Sequence, residues 1–283
     1  MVLSRRNVFF NGGKFVDAAV LKRTLDGWYA AYHDPSYLRY DPLEFVRRMR
    51  GRENREIAGL VFSSIAYGRV EQIRASIRNI LAVTGEDVFR FAVDTPPAKK
   101  VRLFAGVKHR FNIGTDFAVL LECAARAQLR YGSLETLFCE GLKQSHQTVE
   151  QALDTFALHL RALAAKTRVA RSRYFDFLLP SPSSGSACKR LALFLRWMVR
   201  PDDGIDLGEW KRVSASQLVM PVDTHVAAVS RSLGITSRRT ADWAMSREIT
   251  SVMRTVCPHD PVKYDFSLCR TGMIDFRNIT AAA

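Results

Sequence analysis

From about residue 44 onward, apolar residues return every three or four positions, and convincing strand patterns are nowhere present. That is the period of a helix burying one face, so the chain is constrained to a largely helical fold before any other feature is weighed. Ile57, Leu60, Val61 and Ile65, then Ile73, Ile77, Ile80 and Leu81, mark two amphipathic helices. Tyr67-Gly68-Arg69 supplies the turn between them, which makes a helical hairpin. Val149, Ala152, Leu153, Phe156, Leu160 and Leu163 repeat the signal after Thr148, and Ile249, Val252, Met253 and Val256 do so after Thr240. A further apolar stretch runs from Val226 to Leu233 and stops at Gly234, as a helix C-terminus should. The double proline in residues 94–100, DTPPAKK, predicts a surface connection there.

The chain of 283 residues, 47% of them hydrophobic, suffices for a real core in one large domain or two tightly joined lobes. Lys and Arg number 42 against 28 Asp and Glu, a formal charge of +14 that favours polyanions. Nucleic acid leads as partner on charge, but a merely basic protein has the same balance, so motifs must decide. The five cysteines are scattered without paired spacing, which points away from a disulfide framework and toward a reducing compartment. Cys257, His259 and Cys269 come nearest to a metal cluster, at a spacing that matches no usual zinc pattern, so no metal is expected. No apolar run reaches the roughly 18 residues that span a bilayer, and MVLSRRNVFFNGG lacks the apolar core of a secretory signal. A cytoplasmic protein is expected.

Chemistry concentrates in two segments. Residues 180–186, PSPSSGS, are followed at once by the apolar run CKRLALFLRWMV, so a tight hairpin feeds a helix N-terminus at about Ser186. Free backbone N–H groups and the positive dipole end around Gly185 and Ser186 make a site for a DNA phosphate. Lys189 falls in the first helical turn, where that dipole end, together with burial, favours the neutral, nucleophilic amine. A solvated lysine after a turn is the alternative from the residues alone. In Met220-Pro221-Val222-Asp223-Thr224-His225-Val226, Asp223 reads as a helix N-cap. A carboxylate held there stays ionised and can stabilise positive charge on a sugar or help deprotonate an amine, with Thr224 and His225 positioning the helix.

The hairpin, its following lysine and the later VDTHV segment resemble the helix-hairpin-helix DNA glycosylase superfamily that includes endonuclease III. The separation of Lys189 from Asp223 is similar to that in the archaeal 8-oxoguanine DNA glycosylase branch. GSACKRLALFLRWMVRPDDG through VKYDFSLCRTG also looks like a bacterial family of unknown function, so the resemblance covers residues 40–275. It implies an all-α fold of two helical lobes with a helix-hairpin-helix motif and the active site in the cleft between them. Residues 1–44 would pack with the C-terminal lobe, 45–200 would form the lobe ending in the motif, and 201–283 the lobe carrying the aspartate. It further implies a monomeric, nucleoid-associated enzyme acting on damaged DNA. Lys189 and Asp223 would be the catalytic pair excising an oxidised purine, 8-oxoguanine, by attack on C1′, with AP-lyase strand cleavage through the Schiff base open to it.

Three features depart from the superfamily's pattern. Ala187 stands where the hairpin's second glycine is usual, and Ile65 where a DNA-inserting glutamine is frequent. The four-cysteine iron–sulfur loop is missing, since Cys257 and Cys269 are the only cysteines near the C-terminus, so no cluster or other cofactor is expected. Trp197, Phe194, Trp210 and Trp243 are available to stack on an extruded base, or to pack the core. Arg69, Lys108 and Arg110 are candidate phosphate contacts, or ordinary solvated charges. Two other readings remain open: a non-catalytic helix-hairpin-helix DNA-binding protein, and an RNA-processing factor resting on charge alone.

Overall fold

The computed structural model of the chain describes residues 8–11 and 14–274. These are mostly helical. In chain order the helices are α1 (Ala18–Tyr32), α2 (Leu43–Arg48), α3 (Arg52–Ser64), α4 (Val70–Thr84), α5 (Val88–Asp94), α6 (Pro97–Leu103) and α7 (Gly114–Tyr131). There follow α8 (Leu134–Cys139), α9 (Glu150–Ala165), α10 (Lys189–Val199), α11 (Thr224–Ser232), α12 (Trp243–Val256) and α13 (Asp265–Ile274). Two short antiparallel ribbons accompany them, β1 (Val8–Asn11) with β2 (Lys14–Asp17), and β3 (Lys108–His109) with β4 (Asn112–Ile113). The periodicity of the sequence does not register them, because two to four residues are too few to set a pattern. No helix among the described residues is long and apolar enough to cross a membrane.

Two local expectations change. Pro97 opens α6 at a first-turn position, where its missing N–H costs nothing, so the double-proline stretch is partly helix. Lys100 in that helix is buried, and its Nζ donates to the Ala92 carbonyl and the Glu122 carboxylate. The helix after the serine-rich hairpin begins at Lys189, capped by Cys188 and not by Ser186.

Buried apolar side chains form two clusters. The first runs from Leu38 through α2–α10 to Val219 and takes in Trp243, Val262 and Phe266. The second joins Leu21 and Leu25 of α1 to Met220, Val222, α11, α12, Tyr264 and Leu268. Thus α1 packs on the C-terminal helices, while the chain passes from one cluster to the other between Val219 and Met220, later than position 200. At the centre of the first cluster α3 lies antiparallel to α10, with their close approach set by Gly59. A Cβ there would stand 2.6 Å from Met198 Cε and 3.2 Å from Phe194 Cε2. Gly59→Val should therefore lower stability by about 1–3 kcal/mol through overpacking, read by urea unfolding. Gly59→Ala should cost less, because Met198 ends in a flexible methyl and alanine favours the helix.

Candidate active site

The hairpin before α10 is built from turn chemistry. Pro182–Ser184 forms one 3-10 turn, and Gly185 then takes a left-handed φ of +74°. A Cβ on Gly185 would meet nothing within 4 Å, so glycine is required there for its backbone conformation and not for space. Ser186 bridges to Asp242, and the Ser246 hydroxyl donates to the Ala187 carbonyl at 3.4 Å, tying the hairpin to the start of α12. The second left-handed residue is the buried Cys188 (φ +49°), next to Ala187. A side chain in that region costs roughly 1–2 kcal/mol, and the Cys188 N–H is received by the Ser186 hydroxyl at 3.1 Å.

Lys189 and Arg190 open α10 directly against the end of α3. Lys189 Nζ donates to the Ala66 carbonyl at 3.0 Å, and Arg190 Nη1 to the Ser64 carbonyl at 3.3 Å. Cations so placed satisfy carbonyls left free beyond a helix C-terminus. Arg190 is buried, its guanidinium lies 3.8 Å from the Phe177 ring centroid and 5.1 Å from that of Tyr67, and burial pulls its pKa down to about 10.

Asp223 approaches from the other cluster. It caps α11, its Oδ1 accepting the His225 and Val226 N–H groups at 2.9 Å each. Its other oxygen, Oδ2, lies 3.7 Å from Lys189 Nζ. The Cys269 thiol of α13 donates to the same Oδ2 at 3.8 Å. Burial, and then the negative charge of Asp223, hold that thiol well above its ordinary pKa, so it stays a donor.

Beneath the pair lies a buried ionic cluster. Arg196, two turns along α10 from Lys189, bonds Asp265 at 2.6 Å and Asp206 at 3.1 Å. Arg200 adds Asp203 at 3.0 Å, Asp260 at 2.8 Å and a second contact to Asp206. At Asp265 burial outweighs Arg196 and lifts the carboxyl to about 6, with Asp223 adding to the rise. Asp203 is the opposite case: burial raises it, but the His33 hydrogen bond and Arg200 hold it well below the usual carboxylate range.

A cavity of about 990 Å³ opens over the pair where the two clusters meet. Of the catalytic and DNA-binding candidates expected from the sequence, Lys189, Asp223, Ser186 and Arg69 line it, as do Ala187, Thr224 and His225. Gly185 stands just behind in the hairpin, while Lys108 and Arg110 are exposed on the β3–β4 ribbon outside the lining. Arg110 nevertheless packs against Gly68, whose added Cβ would stand 2.9 Å from its Nη1. The aromatic candidates correct differently: Trp197, Phe194, Trp210 and Trp243 are all core residues, and none lines the cavity. Trp210 Nε1 donates to the buried Glu56 at 2.8 Å, and its ring packs edge-on against Phe194. Ile65 is likewise fully buried.

The aromatics that do line the cavity are Tyr37, Tyr40, Tyr67, Phe177 and Phe266. Tyr67 and Phe177 could have been found, since both sit in turns off any long helical stripe, whereas Phe194 and Trp197 fall among the apolar residues of α10. The β3–β4 tip adds Phe111, 48% exposed and 6.4 Å from Phe177, held from below by His109 bonds to Ser76 and to the Tyr67 carbonyl.

Fold and site together define a mostly helical protein that holds an amine and a carboxylate in contact, each at the N-terminus of its own helix. The model of a family described as a protein of unknown function (DUF2400) matches residues 41–274, and the chain belongs to that family. No curated protein and no solved structure matches it.

The raised Asp265 carboxyl has a measurable sign. The folded chain holds this proton more tightly than the unfolded chain, whose carboxyl titrates near 3.9, so its contribution makes stability fall as pH rises from about 4 through 6. A ¹³C carboxyl titration should place the Asp265 midpoint near 6, with Asp203 still ionised at the acid end. An Asp265 midpoint below 4 would show instead that Arg196 outweighs burial.

Proposed function

We propose that the chain is a DNA glycosylase of the helix-hairpin-helix type, its active site in the cleft between two helical lobes and Lys189 its nucleophile. The single observation that carries this reading is the contact between Lys189 Nζ and Asp223 Oδ2, 3.7 Å apart and facing a cavity of about 990 Å³. The hairpin ending in Gly185 and Ser186 is the proposed phosphate grip. The basic and aromatic rim of Arg69, Arg110, Phe111 and Phe177 suits a duplex from which one nucleotide is turned out. A net charge of +14 supplies the general attraction to DNA.

In the proposed reaction the amine form of Lys189 attacks C1′ of the damaged purine nucleotide. The C1′–N9 bond breaks, its electron pair leaves with the base, and the departing base takes up a proton. Asp223 Oδ2 stabilises the positive charge that grows on the sugar and receives a proton from the attacking nitrogen. Oδ1 is already occupied by two N–H groups, so Oδ2 is the oxygen left for this work. Opening of the sugar ring leaves an imine between Nζ and C1′. Elimination through the imine passes the C2′ proton to water and expels the 3′ phosphate, which cleaves the strand, and water then hydrolyses the imine to release the product and free Lys189. The substrate proposed is 8-oxoguanine in duplex DNA, and the protein is taken to act as a monomer in the cytoplasm.

An imine can be reduced, so 8-oxoguanine duplex and borohydride should give a covalent protein–DNA adduct. Lys189→Gln should abolish adduct and excision yet bind DNA nearly as well, since it removes one charge among many. Asp223→Asn should excise roughly 10²–10³-fold more slowly, the cost of losing one preorganised electrostatic stabiliser, without loss of affinity. Excision and trapping by Lys189→Gln at the wild-type rate would assign the chemistry elsewhere. DNA binding without excision of any lesion would leave a non-catalytic DNA-binding protein.

A further inference from the structure

A second cavity, of about 760 Å³, shares no lining residue with the first. It lies between the loop after α8, the loop 212–217 and the end of α12. Lys143, His146, Arg212 and Arg254 line it together with Ser214 and Ser216, and none of its lining residues is an Asp or Glu. That contrasts with the first cavity, where Asp223 and Asp265 face the cations.

The cradle is built and held. Arg254 is partly buried, with its guanidinium fixed by the Ser216 carbonyl at 3.0 Å and the Gln147 carbonyl at 3.4 Å. Burial pulls its pKa downward, and among the described residues no carboxylate is within ion-pair distance of its guanidinium; the carboxylate beside the cradle is that of Glu135, which accepts the Arg212 N–H at 2.6 Å. The walls are cross-tied: Gln217 Nε2 donates to the His146 carbonyl at 2.9 Å, and the Val149 N–H donates to the Gln217 carbonyl at 3.0 Å. The His146 ring is oriented by the Lys143 N–H, which donates to its Nδ1 at 3.2 Å.

We propose that this cavity is a second binding site, separate from the Lys189 cleft, for a phosphate group. Two guanidiniums and an ammonium with two hydroxyls offer directed donors on several sides, which suits an anion with several oxygens in a tetrahedral array. An entering phosphate gives the Arg254 charge the counter-ion that the protein itself withholds. The volume exceeds what a lone ion needs and falls in the range of small-molecule sites, so the phosphate arrives attached to a sugar or a strand. The proposal does not depend on what Lys189 does.

Two arms separate a strand's phosphate from that of a free nucleotide. In the first, calorimetry in low-salt buffer measures pyrophosphate and adenosine monophosphate binding to the wild type and to the Lys143→Gln/Arg212→Gln double variant. Both substituted residues are exposed, so the unfolding curve should not change. Affinity for these probes should fall at least tenfold in the double variant, and Arg254→Lys, which keeps the charge but gives up the fork, should also bind more weakly. In the second arm, undamaged duplex binding is followed against salt. If the site takes strand phosphates, the slope of log affinity on log salt should become shallower by about 0.9 for each phosphate that the variant leaves unneutralised, while borohydride trapping at saturating DNA is unchanged. Weakened probe binding with an unaltered salt slope assigns the site to a free nucleotide phosphate. Probe affinity and salt slope both equal to wild type would overturn the proposal.

Discussion

Arg196 is the interaction on which the site's geometry depends. Its guanidinium is 2% exposed and spans two carboxylates, Asp206 in the segment after α10 and Asp265 at the start of α13. From Lys189 two turns of α10 lead to Arg196, and the ion pair then crosses to Asp265. One turn of α13 leads from there to Cys269, whose thiol meets Asp223 Oδ2, and that oxygen faces Lys189 again. The circuit is closed by two stretches of helix and three polar contacts. Helices are stiff over one or two turns, so the Lys189–Asp223 separation is set by the ionic anchor as much as by the two residues themselves. Removing one member of such a buried pair costs about 3–5 kcal/mol, which makes the circuit hard to open piecemeal.

The same anchor joins the two apolar clusters. Phe266 of α13 belongs to the first cluster and Leu268 to the second, while Arg196 binds α13 immediately beside them. Arg200 carries the connection on to Asp260 and, through Asp203, to His33 at the end of α1. Apolar contacts alone would let two packed bodies shift against each other. Here polar bonds beneath the cavity hold the residues on its two sides in register.

How far this could be read from the sequence follows from the kind of force involved. Apolar periodicity reports burial directly, and α3, α4, α9, α11 and α12 lie where their stripes place them. Lys189 and Asp223 were legible because each follows a helix-start signal, the serine-rich hairpin for one and Pro221 with a capping acid for the other. Burial alone, however, does not distinguish a core ring from a ring that stacks on a ligand. Trp197 and Phe194 lie among the apolar residues of α10, and that phasing assigns them to the core, whereas Trp210 follows no stripe and is placed there by packing on Phe194. The ionic circuit was illegible for another reason: Asp206, Asp260 and Asp265 are ordinary acids in sequence, and only the fold sets them around two arginines.

The hairpin before α10 meets its backbone demands with a single glycine. A chain that reverses and enters a helix within a few residues needs left-handed positions, which glycine supplies without strain. Gly185 provides one, and where a second glycine is lacking the left-handed turn falls on Cys188. Its side chain is wholly buried in the first cluster, so the burial gain of a small apolar residue, on the order of 1 kcal/mol, opposes a backbone cost of similar size. The Ser186 hydroxyl holds the Cys188 N–H, and α12 holds Ser186 and Ala187 in turn. The strain is thus confined to the residue immediately before Lys189, where it fixes the direction in which the helix, and with it the Lys189 side chain, meets the cavity.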